Sequence, residues 1–498
     1  MKSSLLRLKQ VKDQCGCVLA YGHFNTIHPG HIRYLRHAKQ LGSDLLVALI
    51  GDNTLDQPSP YPFNQLDRAE ALSLLGLANT IVLLEGDELE DAIAQIQPKF
   101  LVLGTELKGE GRLLEPLKLL RSQGGSVHFH AGEFSYASTD LLNNSERDLS
   151  QRRREQFISA CLRQHLGKAN LLNSMQSWSS TRLIVLGDTI IDQYAACEAI
   201  GMSAEAPVVV VRELAQRNFI GAAAVVASHI RALGASCDLV SVVGHDSNAD
   251  LVQQELKTQG IGDGLTHDPS RPTTFKKRYM VENQKLFRVS RLEQHNIDQS
   301  IEDQVIDRLE DLAPLAQGIV VSDFVYGVVT PRILEVVQEL AKRHGLLLFG
   351  DLQCSSQVGS VARFQNFSLL SPNERELRLA FQDKDSGLER LSQRLLNECH
   401  CQKLLVKLAA DGFIAYDRTA QGNILSQPFP ALSVNPLDVA GAGDSVLAVM
   451  ATGLASGQGM MPTSALACCM AALAVQTMGN TPISAGELRN NLKEMLLT

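Results

Sequence analysis

Apolar and polar positions along this chain fall into a repeating couple: a short unbroken apolar run, a polar turn, then apolar positions at helical spacing. The first couple is Val18, Leu19, Ala20 and Tyr21, a turn over 22–31, a helix over 32–41, and a second run at Leu45, Leu46, Val47, Ala48, Leu49 and Ile50. Short apolar runs bounded by turn residues read as strands buried on both faces, the habit of parallel sheets. Further runs begin at Leu101, Leu183, Ile319, Leu346 and Leu404, and helical spacing recurs at Val446, Leu447, Val449, Met450 and Leu454. Strands alternating with helices predict an α/β fold whose ligands bind beyond the carboxyl ends of the strands.

The pattern breaks once. Residues 145–166 are charged with helical spacing, and 167–181 are rich in Asn, Ser and Gln. The expectation is a helix that closes a first domain, followed by a flexible linker. The predicted divisions are 1–145, a join over 146–180, and 181–498; a chain of 498 residues exceeds one ordinary core.

Composition then narrows the class. With 45% hydrophobic and 20% charged residues the sequence reads as soluble and globular. A net charge of −8 and the lack of a Lys/Arg stripe with interleaved aromatics argue against nucleic acid as a partner. Arg152, Arg153 and Arg154 read as a solvated helix face. The ten scattered cysteines form no ligand or disulfide spacing and read as reduced, buried thiols. The N-terminus runs quickly into charges, and the apolar segment 465–478 is too short and too rich in small residues to span a membrane. A cytoplasmic enzyme without a membrane partner is expected, its late apolar segment a core helix.

One turn concentrates the chemistry. Asp438, Val439, Ala440, Gly441, Ala442, Gly443 and Asp444 put an acid, a run of small residues and a second acid just ahead of the helical spacing at Val446. Glycines let amides approach a phosphate closely, a helix N-terminus offers its N–H groups to an anion, and a carboxylate beside that hole can deprotonate an attacking hydroxyl. The turn resembles the Asp-Thr-x-Gly-Ala-Gly-Asp signature of the ribokinase-like (PfkB) sugar kinases. That resemblance implies Asp444 as catalytic base and Asp438, Gly441, Ala442 and Gly443 at the phosphates, with Val439 and Ala440 where the family carries its Thr.

The same resemblance runs through 181–498. It implies that Asp192 binds sugar hydroxyls, that Gly221 belongs to a motif beside the sugar, that Asn373 and Glu376 of an Asn-x-x-Glu motif hold Mg²⁺ through water and order ATP, and that Gly412 leads into the adenine loop. Segments near 203–210 and 274–288 resemble the small β lid of heptose-phosphate kinases. On the lid, Arg278 and Arg288 are either contacts for a substrate phosphate or strand-surface charges. Further positions depart from the family pattern, among them Ala222 for a Gly, Val225 for the sugar-binding Asn, Tyr326 and Gln353 for lysines, and Lys407 for a Thr.

In the first half, Gly22, His23, Phe24, Asn25, Thr26, Ile27, His28, Pro29, Gly30 and His31 lie between a predicted strand and a predicted helix. Two imidazoles flanking Pro-Gly at a helix start can face the crevice mouth and donate to phosphate oxygens as charge develops. The stretch resembles the Gly-x-Phe-Asp-x-x-His-x-Gly-His motif of the cytidylyltransferase-like nucleotidyltransferases. It implies His28 and His31 as the pair that stabilises the transferring α-phosphate, with Gly22, Phe24 and Asn25 beside the nucleotide and Asn25 replacing the motif's Asp. Arg68 is either a phosphate contact or a helix-surface Arg. Ser138 and Thr139 are either phosphate ligands at a helix start or a plain N-cap.

Taken together, the chain resembles the bifunctional heptose-7-phosphate kinase/heptose-1-phosphate nucleotidyltransferases with the two halves in the opposite order. The resemblance implies a Rossmann-like nucleotidyltransferase domain followed by a ribokinase-like α/β domain with a small β lid. It also implies ATP and Mg²⁺ for the kinase, ATP or CTP as nucleotidyl donor, sugar phosphates as substrates, and a homodimer. Two alternatives stand beside it: another sugar or polyol phosphate with CTP, or a nucleotide-binding regulatory protein with one inactive half.

Overall fold

The structure, a computed structural model, describes residues 4–11, 16–24, 27, 29–52, 63–104, 107, 111–130, 146–205, 208–281, 284–354 and 359–496. It divides into two compact units, Met1–Gln151 with Phe381–Arg394, and Arg152–Ala380 with Leu395–Thr498. Among the described residues the strands form three sheets.

The first unit is built on six parallel strands: β1 (Ser4–Arg7), β2 (Val18–Gly22), β3 (Leu45–Leu49), β4 (Thr80–Leu83), β5 (Phe100–Gly104) and β6 (Ser126–His130), in the order β1-β4-β3-β2-β5-β6. Alternate residues of the apolar runs point to opposite faces, and both faces are covered. Leu19, Tyr21, Leu46, Ala48, Leu101 and Leu103 enter one core, while Val18, Ala20, Leu45, Val47, Leu49 and Val102 enter the other. The edge strand β1 was not expected, because two leucines among charges carry little strand signal. The sheet reverses its winding at β2, flanked by β3 and β5, so the ligand crevice belongs at the end of β2.

The second unit carries a nine-stranded sheet of β7 (Arg182–Gly187), β10 (Ser236–Val243), β11 (Gly262–His267), β14 (Gly318–Asp323), β15 (Leu347–Leu352), β16 (Leu369–Leu370), β17 (Lys403–Lys407), β18 (Phe413–Arg418) and β19 (Ile424–Phe429). Its order is β11-β10-β7-β14-β15-β16-β17-β18-β19, with every strand parallel except β18, which runs antiparallel to both of its neighbours. A four-stranded lid combines β8 (Thr189–Met202), β9 (Val209–Ala222), β12 (Thr274–Val281) and β13 (Gln284–Arg291) in the order β13-β12-β8-β9. The near ends of β8 and β9 are buried and their far ends exposed, so the lid projects from the body. The helices Ala442–Ala455 and Met460–Ala474 are buried almost throughout, as expected for the late apolar segment. Among the described residues no helix is long and apolar enough to cross a membrane. The nine described cysteines are buried.

The join differs from expectation. Residues 146–180 form the helices Glu146–Arg163 and Lys168–Ser174 and the 3-10 turn Met175–Ser180. Phe157, Ala160, Cys161, Leu171, Met175 and Trp178 lie in the second unit's core. These residues are therefore no flexible linker. Nor are the arginines solvated only: Arg153 donates to the carbonyls of Ser433 and Ala410, and Arg154 to that of Met495 at 3.0 Å.

Candidate functional site

In the second unit the helix Ala442–Ala455 begins within the Gly-Ala-Gly stretch, with Gly441 as its N-cap. Gly441 takes φ +77°, a left-handed conformation that suits glycine, and a Cβ there would lie 2.5 Å from the Asn480 side-chain oxygen. The helix's first-turn amides lack intrahelical acceptors and open toward the space ahead of the helix. Asp444 stands in that first turn, 5% exposed, and accepts the Gln353 side-chain amide at 2.9 Å. Burial first, then the charge of Asp351, pushes its carboxyl up to about 8, against the pull of Lys407.

Strand ends bring the remaining groups to this turn. At the end of β15, the fully buried Asp351 accepts Lys407 Nζ at 2.7 Å, and Lys407 comes from the end of β17. Beside it, the Asn373 side chain accepts the Glu376 N–H and the Glu376 carboxylate accepts the Asn373 N–H, both at 2.8 Å. This reciprocal pair caps the helix Glu374–Phe381, so the Asn-x-x-Glu motif also has a local structural task. Gly412 lies in the turn between β17 and β18.

The lid supplies the opposite wall. Asp192 on β8 pairs with the Arg278 guanidinium of β12. Gly221 on β9 lies so close that a Cβ there would meet the Asp192 carboxylate at 2.8 Å. Arg278 is therefore committed to Asp192 rather than being a plain surface charge, whereas Arg288, its cross-strand neighbour, is exposed. Asp438 accepts Tyr194 Oη and Lys285 Nζ, each at 2.9 Å. Its place is that of a latch between lid and loop, not of an open phosphate contact. Burial opposes ionisation of Asp438, but Lys285, the Ala440 amide and Tyr194 hold its carboxyl below the usual range. Val225 is fully buried in the helix Ala223–Ala232.

Two side chains of this wall were not singled out from the sequence. Lys276 is buried, with its ammonium over the rings of Tyr326 at 5.1 Å and Phe324 at 5.5 Å, so a cation does reach the place where Tyr326 replaces a lysine. It is two residues from Arg278 on one strand, and period-two alternation puts both on one face. Asn480 lies between the two glycines, donating to the Ile220 carbonyl at 3.3 Å; no spacing in the sequence marks it.

In the first unit, Gly22 ends β2, and Phe24 follows, buried, with φ +47°. The helix Pro29–Gln40 begins after the turn, and the His31 ring lies 5.2 Å from that of Phe24. His31 thus stands at the switch-point crevice. Asn25, His28, Ser138 and Thr139 lie outside the described residues. Arg68 is no helix-surface residue: it is buried, and donates to the carbonyls of His23 and Ile50 and to Asp52 at 2.6 Å. It ties the loop after β2 to the end of β3.

Comparison with known proteins fits this geometry. The family described as pfkB family carbohydrate kinase matches residues 180–485. The chain belongs to that family. A second family, described as cytidylyltransferase-like, matches residues 19–111. Among curated proteins, the chain is similar to Bifunctional protein HldE of Geobacter sulfurreducens, 32% identical over 62% of this chain and 62% of that protein. It is also similar to the protein of the same name from a Bradyrhizobium species, 30% identical over 64% of each. The chain thus spans about 62% of the first relative's length. Among solved structures, phosphofructokinase-2 of Escherichia coli with substrates and products aligns at a TM-score of 0.52, 15% identical, over 63% of this chain and 99% of that one. At that identity the likeness concerns the fold alone.

Proposed function

We propose that the chain is a bifunctional enzyme of nucleotide-activated sugar synthesis, working in the cytoplasm. The pfkB half phosphorylates the anomeric hydroxyl of a sugar phosphate of the heptose 7-phosphate kind. The cytidylyltransferase-like half joins the resulting sugar 1-phosphate, once a phosphatase has acted, to the α-phosphate of ATP or CTP and releases pyrophosphate. The observation that carries the kinase reading is Asp444: a buried carboxylate in the first turn of a helix, facing a lid that presents Asp192 and Arg278.

In the kinase step, Asp192 and Arg278 orient the sugar and Asp444 takes the hydroxyl proton. The freed oxygen bonds to the γ-phosphorus as the bond to the β-γ bridging oxygen breaks, and ADP leaves with that electron pair. The first-turn amides at Gly443 and Asp444 receive the phosphate charge. Each Glu376 oxygen already accepts one backbone N–H, from Asn373 and Cys354, and retains capacity for a water of a hydrated Mg²⁺. Such an ion, held by Glu376 beside Asn373, would neutralise the ATP phosphates. In the other half, His31, with His28, steadies the α-phosphate. A homodimer through the lid accompanies this reading, supported by the exposed Ile200, Met202, Val209 and Leu214 on its outer part.

Val225 and Gln353 support a second substrate class, another sugar or polyol phosphate, because an isopropyl group offers a sugar hydroxyl neither donor nor acceptor. The test is mass spectrometry of products from Mg²⁺, ATP, CTP and a panel of sugar phosphates, with Asp444→Asn and His28→Ala beside the wild type. A heptose bisphosphate that disappears only in Asp444→Asn supports the heptose reading. Turnover of a different phosphate moves the reading to that substrate. ATP bound without ADP release, equally in wild type and Asp444→Asn, ends the kinase reading.

A further inference from the structure

Two lysines of the family pattern are missing near the transfer site, at Tyr326 and Gln353, yet a lysine stands where the pattern has none, at 407. Its position is specific. The chain leaves β17 at Lys407 beside Asn373, and the carbonyl of the preceding residue, Pro372, accepts the Lys407 N–H at 2.9 Å. The side chain then runs toward the Gly-Ala-Gly turn, and a Cβ built on Gly443 would lie 3.4 Å from Lys407 Nζ. The ammonium therefore rests against the residue whose amide opens the phosphate-facing helix.

What holds it there is Asp351, fully buried, at 2.7 Å. Of the three ammonium donors this bond takes one, and among the described residues it is the side chain's one hydrogen bond. The Lys407 side chain keeps 17% of its surface exposed, and two of its ammonium donors remain beside Gly443. Gln353, the residue on the family's lysine position, is turned to Asp351 at 3.5 Å and to Asp444 at 2.9 Å. Being neutral, it leaves the carboxylates of Asp351, Glu376 and Asp444 without a cation of its own. A triphosphate entering such a place meets like charge unless a cation is supplied from elsewhere.

We propose that Lys407 is the phosphate-binding cation of the kinase site, donating to the γ-phosphate of ATP at the Gly443 amide and so replacing from β17 the charge absent at 353. The assignment rests on the kinase reading above and deepens it. Asp351 is the positioning residue: it fixes the ammonium and is itself too buried to meet the nucleotide. Because the γ-phosphate is what the ammonium meets, ATP and ADP should depend on it unequally, which simple pairing with Asp351 would not produce.

The experiment is calorimetric binding of Mg²⁺ with ATP or ADP to the full chain, for wild type, Lys407→Thr, Lys407→Arg and the double variant Lys407→Thr/Gln353→Lys, with thermal melts as a fold control. Loss of a charge-assisted contact predicts roughly 10- to 100-fold weaker ATP binding in Lys407→Thr, with ADP weakened by less than about threefold. Lys407→Arg keeps most of the ATP affinity, and Gln353→Lys in the double variant restores at least about tenfold. Equal weakening for ATP and ADP, no weakening of either, or ATP affinity that fails to return in the double variant overturns the assignment. If Lys407→Thr melts early, the Lys407→Arg and double variants carry the decision through the same ATP-to-ADP ratio. Kinase turnover is followed separately: a wild type that binds ATP but phosphorylates no sugar phosphate ends the kinase reading, while the ATP-to-ADP ratio still decides Lys407.

Discussion

The Gln353 side-chain amide donates to the Asp444 carboxylate at 2.9 Å. A neutral partner at this distance steadies the base without fixing its charge, and burial then lifts its carboxyl to about 8. A lysine there would pull the same group down. The kinase reaction therefore needs pH near 8 for the base to be ionised. Its kcat/KM should rise about tenfold per pH unit from 6 to 7 and level off above about 8. In Gln353→Lys the rise should shift to lower pH by a unit or more. A pH profile of initial rates checks both, and a flat wild-type profile between 6 and 8 would refute this role for Asp444.

The same carboxyl makes a stability prediction of definite sign. Its folded value lies above the ordinary 3.8, so between 3.8 and about 8 the folded state binds the extra proton. Stability from this group is complete at low pH and is lost as pH rises toward 8. Asp444→Asn removes the ionisable group and keeps its shape. The variant should be more stable than wild type at pH 8 and above, on the order of a few kcal/mol, and so melt higher, while kinase turnover disappears. A variant that melts lower than wild type at pH 8.5 would contradict the assignment.

Gly221 and Asp192 give a test of substrate positioning. A methyl at 221 would lie 2.8 Å from the Asp192 carboxylate, and that carboxylate cannot swing aside cheaply because Arg278 holds it and it is 8% exposed. Gly221→Ala should raise KM for the sugar phosphate by roughly 10- to 100-fold, the cost of displacing a positioned group, with ATP affinity unchanged. Steady-state kinetics with each substrate varied in turn separates the two constants.

Much of this was legible in the chain. The buried parallel strands announced themselves as apolar runs, since a strand covered on both faces has no polar side to show: Val18 to Tyr21 face two different cores in alternation. The Asp444 turn was legible because glycines, acids and helical spacing coincide within a few residues. What was hidden depends on distance in space. Arg68 has the same sequence appearance whether it meets water or the carbonyls of His23 and Ile50, and only the fold of the loop decides. Lys276 was hidden for the opposite reason: its signal, two residues before Arg278, reads as an exposed basic strand until the lid is placed over Tyr326. In the join, polar composition outweighed a real helical spacing.

That spacing is Leu171, Met175 and Trp178, at i, i+4 and i+7, and it yields the last prediction. All three enter the second unit's core, and the Trp178 side chain is among the largest fully buried groups of the chain. If 167–180 were a linker, substitution there would leave stability alone. Because it is core, Trp178→Ala should cost about 3–5 kcal/mol, lowering the melting transition of the pfkB half and its kinase activity on heating. The first unit has its own cores, so nucleotidyl transfer at moderate temperature should persist. Trp178→Phe is the control. The buried indole N–H has no hydrogen-bond partner among the described residues, so exchanging the indole for a phenyl ring abandons no bond and removes an unsatisfied donor. It should cost clearly less than the alanine change. Differential scanning calorimetry of the two variants, read transition by transition, distinguishes a core residue from a linker residue: equal melting of Trp178→Ala and wild type would restore the linker.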